Sequence, residues 1–306
     1  MVLYFMLENK SNIIIASILL FLAALFWSGN FIVGKIAGLN DIPPISLNIL
    51  RWSLAFLILL PFTYKEMIEK KELIFKNIHL LCFLGITAVS IFNSALFYSL
   101  KTTQVITGVL MISTVPVMII LFSIILKIEK TNTFQVLGVI FSLLGVLFII
   151  SKADFEVFKN LAFEKGDLFA LFAMISWSLY SALLKKKNYG LSPITLLQVV
   201  IGLGVIFLIP MYAIDYIYIG NRITINTNFI LVLSYVVLLP GIISFFFWIK
   251  GVALIGANRA GIYLHLMPIL AAILAMLIFD EVLLFYHYIG GIFIISGILL
   301  SNKKNA

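Results

Sequence analysis

Aromatic and polar side chains interrupt the first apolar stretch of the sequence, at Trp27-Ser28-Gly29-Asn30. Trp27, Asn30 and Gly34 lie at i, i+3 and i+7, which places them on one face of a helix. Trp177 and Tyr180 repeat this face half a chain length later. An indole ring can pack on a flat solute, and an amide both donates and accepts hydrogen bonds. The face therefore suits solute binding, and the alternative is helix packing with Asn30 bonded to a neighbouring helix.

A second stripe of polar and aromatic residues lies in the third apolar stretch. Ser94 and Tyr98 share one helical face, and Asn93 is adjacent to it. Ser244 and Trp248 occupy the matching face of the eighth apolar stretch. Equivalent stripes in the two halves are what a central pathway for a polar solute would need, and helix packing is again the alternative.

Arg51 is the one clear charge within an apolar stretch. An isolated charge at the centre of a bilayer costs several kcal/mol. The guanidinium therefore either faces a watery cavity, where it would attract an anionic group, or serves structure by snorkelling or pairing. Its counterpart in the second half is Val200. Both interpretations of Arg51 stay open at the level of sequence.

His265 is the histidine that lies well inside an apolar stretch, on a face with Asn258 and Ile262. A histidine can sense protons because its charge changes near neutral pH. A neutral histidine with a structural hydrogen bond is the favoured interpretation. Thr107 and Met111 form the corresponding face in the first half and join the candidates for the pathway.

Proline and glycine mark candidate hinge and packing positions. Pro116 and Pro268 fall within predicted helices, where proline removes a backbone hydrogen bond and permits a kink. The kinks suit either a rocking helix or a static bend. Gly34 and Gly261 belong to small-residue pairs that allow close helix approach, and we expect them to serve packing.

The elements that must position these residues are membrane helices. Hydrophobic residues make up 63% of the chain and charged residues 11%, whereas a soluble domain has about 45–50% and about 25%. A spanning helix needs about 20 mainly apolar residues. The pattern predicts an all-α integral membrane protein with ten spans, at residues 13–35, 43–63, 77–99, 103–127, 132–151, 167–186, 192–214, 228–250, 257–279 and 284–301.

Lys and Arg predict the orientation, because positively charged connections stay on the cytoplasmic side. These residues are concentrated in the connections that share a side with the N-terminus. Both termini are therefore predicted to be cytoplasmic in a multi-pass protein of a bacterial-type inner membrane. The oligomeric state does not follow from the sequence.

The chain is also an internal repeat, predicted at residues 13–151 and 167–301. Matched features recur at a near-constant offset, namely Trp27 with Trp177, Pro44 with Pro193, Pro116 with Pro268, Gly138 with Gly290, and Gly145 with Gly297. Five spans in each half is an odd number, so the second half must be inserted upside down. Inverted repeats are a mark of secondary transporters, whose substrate site lies between the halves at the bilayer midplane.

Other classes of function fit less well. Membrane enzymes need a nucleophile with its base, paired aspartates or a metal cluster within the spans, and these are not evident. Glu129 and Glu281 lie at span ends and are predicted to be structural. Cys82 and the three separated histidines lack metal-ligand spacing, so neither a metal nor another cofactor is predicted. The net charge of +8 lies in short clusters between apolar runs, which argues against nucleic acid.

Motifs across nearly the whole chain resemble the EamA type of the drug/metabolite transporter superfamily. They are Trp27-Ser-Gly-Asn-Phe, Leu50-Arg51-Trp52, Ala253 to Gly261, Leu266-Met-Pro268, Asp280-Glu281, and the glycines 290 and 297. The resemblance implies ten helices in a basket around a central cavity. It also implies export or exchange of small metabolites, such as amino acids, by alternating access through the bilayer. A uniporter or channel-like facilitator, or a membrane-embedded enzyme, is the alternative.

Overall fold

The structure is a computed structural model, and it describes residues 2–39, 42–102, 110–160, 165–219, 223–279 and 282–303. Within these ranges the chain is helical and contains no β-strand. Its long helical segments are numbered α1 to α10 in chain order. Each corresponds to one of the spans predicted from the sequence.

The first half of the chain contributes α1 to α5. Three of these are continuous: α1 (Val2–Leu39), α2 (Pro44–Glu69) and α5 (Thr133–Ile150). α3 consists of α-helical Ile78–Gly85, a π-helical turn at Ile86–Ile91, and α-helical Phe92–Thr102. α4 is Val115–Ile125, preceded by a helical turn that begins at Leu110.

The second half contributes α6 to α10. α6 (Lys165–Leu184), α7 (Pro193–Ile214) and α10 (Phe285–Ser301) are continuous, and a π-helical turn at Asp215–Ile219 extends α7. α8 consists of Thr227–Val237, a π-helical turn at Leu238–Ile243, and Ser244–Ile255. α9 consists of Ala257–Gly261, a 3-10 turn at Ile262–His265, and Leu266–Phe279.

Length and hydropathy qualify most of these segments to cross a membrane. Among the described residues, 8 helices of 18 residues or more are apolar enough to span. The remaining two segments, Leu110–Ile125 in α4 and Phe285–Ser301 in α10, are apolar but shorter. α4 borders residues 103–109, which lie outside the described ranges. The protein is therefore a multi-pass membrane protein.

The predicted connection at residues 64–76 is helical in the structure. α2 continues to Glu69, and a separate short helix, Lys71–Lys76, follows it. Glu66 and Lys70 form an ion pair of 2.8 Å along this extension. The local sequence is rich in Lys and Glu, which are good helix formers. Helix propensity therefore persists beyond the apolar span.

The distribution of side chains is reversed relative to a soluble protein. Large apolar side chains such as Ile14, Leu57 and Leu299 are exposed on the outer surface. Asn48 and Arg51 are buried inside. An apolar exterior over buried polar groups is expected for a helix bundle solvated by lipid.

Helices of the first half pack mainly against helices of the second. α1 contacts α8 and α9, α6 contacts α3 and α4, α2 contacts α7, and α5 contacts α10. If α1–α5 are exchanged with α6–α10 in order, the α1 pairs are converted into the α6 pairs, and the pairs α2–α7 and α5–α10 are converted into themselves. The packing therefore has the pattern of a two-fold relation between the halves.

The contact between α5 and α10 is made by glycines. Gly138 faces Gly297, and Gly145 faces Gly290, so the two helices run antiparallel. A Cβ on Gly138 or Gly145 would lie 2.5 Å from the opposing glycine carbonyl oxygen. Close backbone approach of this kind requires the absence of a side chain. The repeat-related glycines thus form a close crossing between the halves.

Candidate functional site

Three tryptophans from three helices meet at the centre of the bundle. The ring centroids of Trp27 and Trp177 are 5.4 Å apart, and both lie 5.6 Å from that of Trp248. Phe245 contacts Trp27 at 5.8 Å and Trp177 at 5.2 Å, edge to face. All four side chains are buried. These four residues are the tryptophan cluster, and it unites three side chains that the sequence marked on separate helices.

The buried tryptophans differ from one another in the hydrogen bonding of their indole N–H groups. Trp27 Nε1 donates to the carbonyl oxygen of Pro240 at 3.0 Å. The Nε1 atoms of Trp248 and of the neighbouring Trp52 are buried and have no hydrogen-bond partner among the described residues. The centre of the bundle therefore holds donors that the surrounding protein leaves unused.

Arg51 lies beside this aromatic region within a small polar group. Its Nη1 donates to Oδ1 of Asn93 at 3.3 Å, and Asn93 Nδ2 donates to the carbonyl oxygen of Ala88 at 3.1 Å. Asn48 Nδ2 lies 3.4 Å from Ser94 Oγ. Arg51, Asn93, Asn48 and Ser94 form the Arg51 cluster, and all four are buried. Asn48 precedes Arg51 by three residues, so both lie on one face of α2.

The charge of Arg51 is not balanced by the described residues. The ion pairs in this part of the chain are Glu66–Lys70 and Glu156–Lys159, and neither includes Arg51. Its side chain is 4% exposed, and its Nε has no partner within the described ranges. The guanidinium carbon lies 4.7 Å from the ring centroid of Trp52, which gives a cation–π contact. Among the described residues, the guanidinium is thus stabilised by the neutral amide of Asn93 and the ring of Trp52.

π-helical turns flank both clusters. The turn Ile86–Ile91 in α3 ends just before Asn93, which bonds Arg51. The turn Leu238–Ile243 in α8 contains Pro240, which accepts the Trp27 bond, and Gly241, which faces Arg51 Nε. π-helical turns are rare and are frequent at functional sites, because they displace backbone groups from the regular ladder. The two turns occupy equivalent positions of the two halves.

His265 is held between two helices and is separate from these clusters. Its Nε2 lies 2.9 Å from the carbonyl oxygen of Ser113, and its Nδ1 lies 2.6 Å from Ser142 Oγ. A carbonyl oxygen only accepts, so Nε2 carries a proton and Nδ1 can accept from Ser142. The geometry is that of a neutral histidine that joins α9 to α4 and α5.

The remaining pathway candidates are dispersed. Tyr180 is buried against Trp177 at 5.2 Å, and its hydroxyl has no partner among the described residues. Asn30 and Met111 are half-buried. Tyr98 is 36% exposed and stacks on Phe169, although Ser94 is buried. Thr107 lies outside the described residues.

Ser94 and Tyr98 lie four residues apart in the regular α-helical part of α3, Phe92–Thr102. They therefore share a helical face, and this face passes from the buried interior at Ser94 to the exposed surface at Tyr98.

Two carboxylates cap helices. Glu129 accepts hydrogen bonds from the backbone N–H groups of Ala257 and Asn258 at 3.2 and 3.1 Å, where α9 begins. Glu66 accepts from the backbone N–H and hydroxyl of Ser192 at the start of α7. Carboxylates at a helix N-terminus satisfy free N–H groups and complement the helix dipole. This geometry supports the structural interpretation of Glu129, whereas Glu281 lies outside the described residues.

The prolines mark breaks in their helices. Pro116 lies in the first turn of α4 after a break at Thr114, and Pro268 follows the 3-10 turn of α9. A Cβ added to Gly261 would lie 3.1 Å from Ile119 and 3.5 Å from Pro116. Gly261 therefore packs α9 against α4. Gly34 lies in α1, and the surroundings of this glycine are outside what the structure describes.

Three residues of the site are not among the candidate residues predicted from the sequence. Asn48, Trp52 and Phe245 line the Arg51 and tryptophan clusters. The spacing of Asn48, Arg51 and Trp52 at i, i+3 and i+4 was a usable signal, because it puts three non-aliphatic side chains on one face of α2. Phe245 had no such signal, since α8 carries several phenylalanines.

A separate groove lies on the outer side of the bundle. It has a volume of about 580 Å³ and is lined by α2, the short helix after it, and α7. Its walls are apolar, with Phe56, Met67 and Leu203 among them. Apart from Ser53, the lining residues of this groove are apolar and none of them is charged, so the candidate site is the buried region around Arg51 and the tryptophans.

The side chains of the candidate site are suited to binding a solute. No group of three or more His, Cys, Asp or Glu residues that could hold a metal ion occurs in the described part of the chain. The site instead combines aromatic walls, amides and one guanidinium between two halves of a membrane bundle. These features define a polytopic membrane protein with a candidate solute-recognition site between its two halves.

Comparison with known proteins assigns the family. The EamA-like transporter family matches the chain twice, at residues 14–151 and 164–303. The chain belongs to the EamA-like transporter family. It is therefore a membrane transporter.

Two relatives that are named as transporters match nearly the whole chain. An "Uncharacterized transporter" of Archaeoglobus fulgidus is 28% identical over 97% of this chain and 99% of its own length. An "Uncharacterized transporter" of Clostridium kluyveri is 29% identical over 94% of both chains. A solved crystal structure matches 93% of this chain and 95% of its own with a TM-score of 0.75 and 19% identity, which shows the fold alone.

Proposed function

We propose that the protein is a secondary transporter that moves small organic metabolites by alternating access between two inverted repeats. The observation that carries this proposal is the antiparallel glycine crossing of α5 and α10, with Gly138 on Gly297 and Gly145 on Gly290. A two-fold axis that exchanges antiparallel membrane helices must lie in the membrane plane. Repeats related by such an axis are a mark of secondary transporters.

The position of the candidate site between the two halves supports this proposal. Trp27 comes from the first half and Trp177 and Trp248 from the second, and the three rings meet. A site built by both halves can face either side of the membrane when one half rocks against the other. The proposal includes ten membrane crossings, export or exchange as the direction, and both termini in the cytoplasm of a bacterial-type inner membrane.

Transport by the purified protein in proteoliposomes tests the proposal. A panel of radiolabelled metabolites, with amino acids and related compounds first, would be offered in the presence and absence of a pH difference. We expect saturable uptake of one chemical class, and faster uptake when unlabelled compound of that class is preloaded. Lack of saturable flux for the whole panel would contradict the transporter proposal.

A uniporter or channel-like facilitator is the alternative mechanism. A channel-like facilitator equilibrates its solute whether or not the vesicles are preloaded, whereas an alternating-access carrier transiently accumulates label, driven by the outward gradient of the preloaded compound. Counterflow therefore separates a carrier from a channel, and net uptake into vesicles without preloaded compound separates a uniporter from an obligatory exchanger. Flux that is fast, linear in concentration and insensitive to preloading would favour the facilitator.

A further inference from the structure

We propose that the region between Arg51 and the tryptophan cluster is a subsite for the carboxylate of a small organic anion with a flat apolar body. This inference deepens the proposed function and rests on it. It assigns a substrate class to a transporter whose family membership does not specify one. The charge of Arg51, the unpaired hydrogen-bond donors and the aromatic walls each support this inference.

The charge of Arg51 requires a partner. A guanidinium that is 4% exposed within a membrane helix has lost its hydration, and a buried charge is costly unless it is paired and hydrogen-bonded. The support in the described residues is a single 3.3 Å bond to the neutral Asn93 and the ring of Trp52. Neither neutralises the charge. An anion that occupies the site would do so.

Unpaired hydrogen-bond donors occur at Arg51, at the adjacent Trp52 and in the tryptophan cluster. Arg51 Nε, Trp52 Nε1 and Trp248 Nε1 are buried and have no partner among the described residues. Each can donate and none can accept. A ligand that satisfies them must be rich in acceptors, and a carboxylate offers two oxygens that accept several hydrogen bonds. Guanidinium and carboxylate also match in planar geometry.

Backbone structure keeps the guanidinium approachable. Gly241, in the π-helical turn of α8, faces Arg51, and a Cβ there would lie 3.4 Å from Nε. A larger side chain at this position would cover the free Nε. Asn48 Oδ1 is buried and has no partner among the described residues, so it could accept from a donor on the ligand.

Aromatic rings continue from Arg51 into the bundle. Trp52 meets Phe245 at 4.8 Å, and Phe245 contacts Trp27 and Trp177. The polar end of the site is thus joined to an aromatic wall without an intervening charge. Flat apolar groups pack favourably on such rings. The arrangement fits a molecule with a carboxylate at one end and an aromatic or flat apolar body at the other.

Intrinsic fluorescence provides a direct test, because the chain contains 4 tryptophans and all of them lie in this region. The probe is sodium 3-phenylpropionate, ionised at neutral pH because carboxyl groups titrate near pH 4. The neutral 3-phenylpropanamide has the same body without the charge, and sodium chloride controls for ionic strength. We expect a saturable fluorescence change with the carboxylate and affinity at least about tenfold lower for the amide.

Variants of the purified full-length protein connect the effect to Arg51. Arg51→Gln should lower the affinity for the carboxylate about tenfold or more, to the level of the amide, and Arg51→Lys should retain part of it. Lys250→Gln is the matched control, since Lys250 is an exposed cation near the ring of Phe246 in α8. It should bind like the unaltered protein. Circular dichroism and gel filtration would verify folding of each variant.

Three results would overturn the inference: no saturable change with the carboxylate, equal affinity for carboxylate and amide, or full affinity in Arg51→Gln. The comparison of carboxylate with amide uses the unaltered protein, so it decides the question even if Arg51→Gln does not fold. Carboxylate binding without flux in proteoliposomes would contradict the proposed function alone. Flux of neutral or cationic solutes that is unchanged in Arg51→Gln would contradict this inference alone.

Discussion

Hydrogen bonding separates tryptophans that otherwise share burial and aromatic contacts. Trp27 donates its indole N–H to Pro240, whereas the N–H groups of Trp52 and Trp248 have no partner among the described residues. A satisfied indole in a buried region acts as a fixed wall and secures α1 to the π-helical turn of α8. A free indole N–H remains available to a ligand. Residues of one type in one cluster thus have different roles.

Replacing Trp27 by Phe should therefore cost more stability than replacing Trp248 by Phe. Both changes remove the same volume from the tryptophan cluster, and the first also removes a hydrogen bond to Pro240. A hydrogen bond contributes about 0.5–1.5 kcal/mol net. Thermal unfolding in detergent, followed by circular dichroism, should show a lower Tm for Trp27→Phe. Equal Tm values would mean that the bond to Pro240 does not contribute to stability.

Individual residues also mark the limit of sequence interpretation. Trp27, Trp177 and Trp248 could be identified because aromatic residues recur at equivalent positions of a repeat. Asn93 was identified as a polar residue in an apolar helix, and the structure places it on Arg51. Phe245 could not be identified, because in a helix that is apolar on every side no pattern distinguishes the inner face from the face toward lipid.

At the scale of elements, the π-helical turns were beyond prediction from sequence. A π turn depends on tertiary contacts, since its extra residue weakens the local hydrogen-bond ladder. The turns Ile86–Ile91 and Leu238–Ile243 place Asn93 and Gly241 at Arg51. Helix positions could therefore be read from hydropathy, whereas the rotation of residues beyond the turns could not.

The crossing of α5 and α10 allows a prediction from two adjacent glycines. A Cβ on Gly290 would lie 2.6 Å from the carbonyl oxygen of Gly145, whereas the nearest atom to a Cβ on Gly291 is Ile269 Cγ1 at 3.6 Å. Gly290→Ala should therefore force the helices apart and destabilise the protein by about 1–3 kcal/mol. Gly291→Ala should be neutral or slightly stabilising, because alanine favours helix by about 1 kcal/mol.

Thermal unfolding of the two alanine variants, in the same detergent, measures this difference. Their sequence positions differ by one residue and their helix propensities change equally, so the contrast isolates the crossing. A Gly290→Ala protein as stable as Gly291→Ala would show that the two helices do not approach as closely as the glycine contacts indicate.

At the scale of the whole molecule, an internal repeat in the sequence corresponds to two family matches and to a packing pattern that relates the halves. The repeat was detectable because prolines, glycines and tryptophans recur in order. Which helices pack against each other, such as α1 with α8 and α2 with α7, could not be detected in the sequence. Contacts between apolar helices depend on shape, and similar Leu, Ile and Phe side chains on every helix provide no code for it.

The number of crossings determines on which sides of the membrane two exposed positions lie. Lys71 follows α2, and Ile225, which is 76% exposed, precedes α8. With ten crossings, as an inverted repeat requires, these positions lie on opposite sides. If the two shorter segments, α4 and α10, did not cross, both positions would lie on the same side.

Lys71→Cys and Ile225→Cys, each in a Cys82→Ser background without other cysteines, should therefore react from opposite sides. A membrane-impermeant maleimide should label Ile225→Cys in intact cells and Lys71→Cys in inside-out vesicles, because the Lys-rich connection after α2 is expected in the cytoplasm. Labelling of both in detergent controls for accessibility. Reaction of both variants from one side would exclude ten crossings and with them the inverted repeat on which alternating access depends.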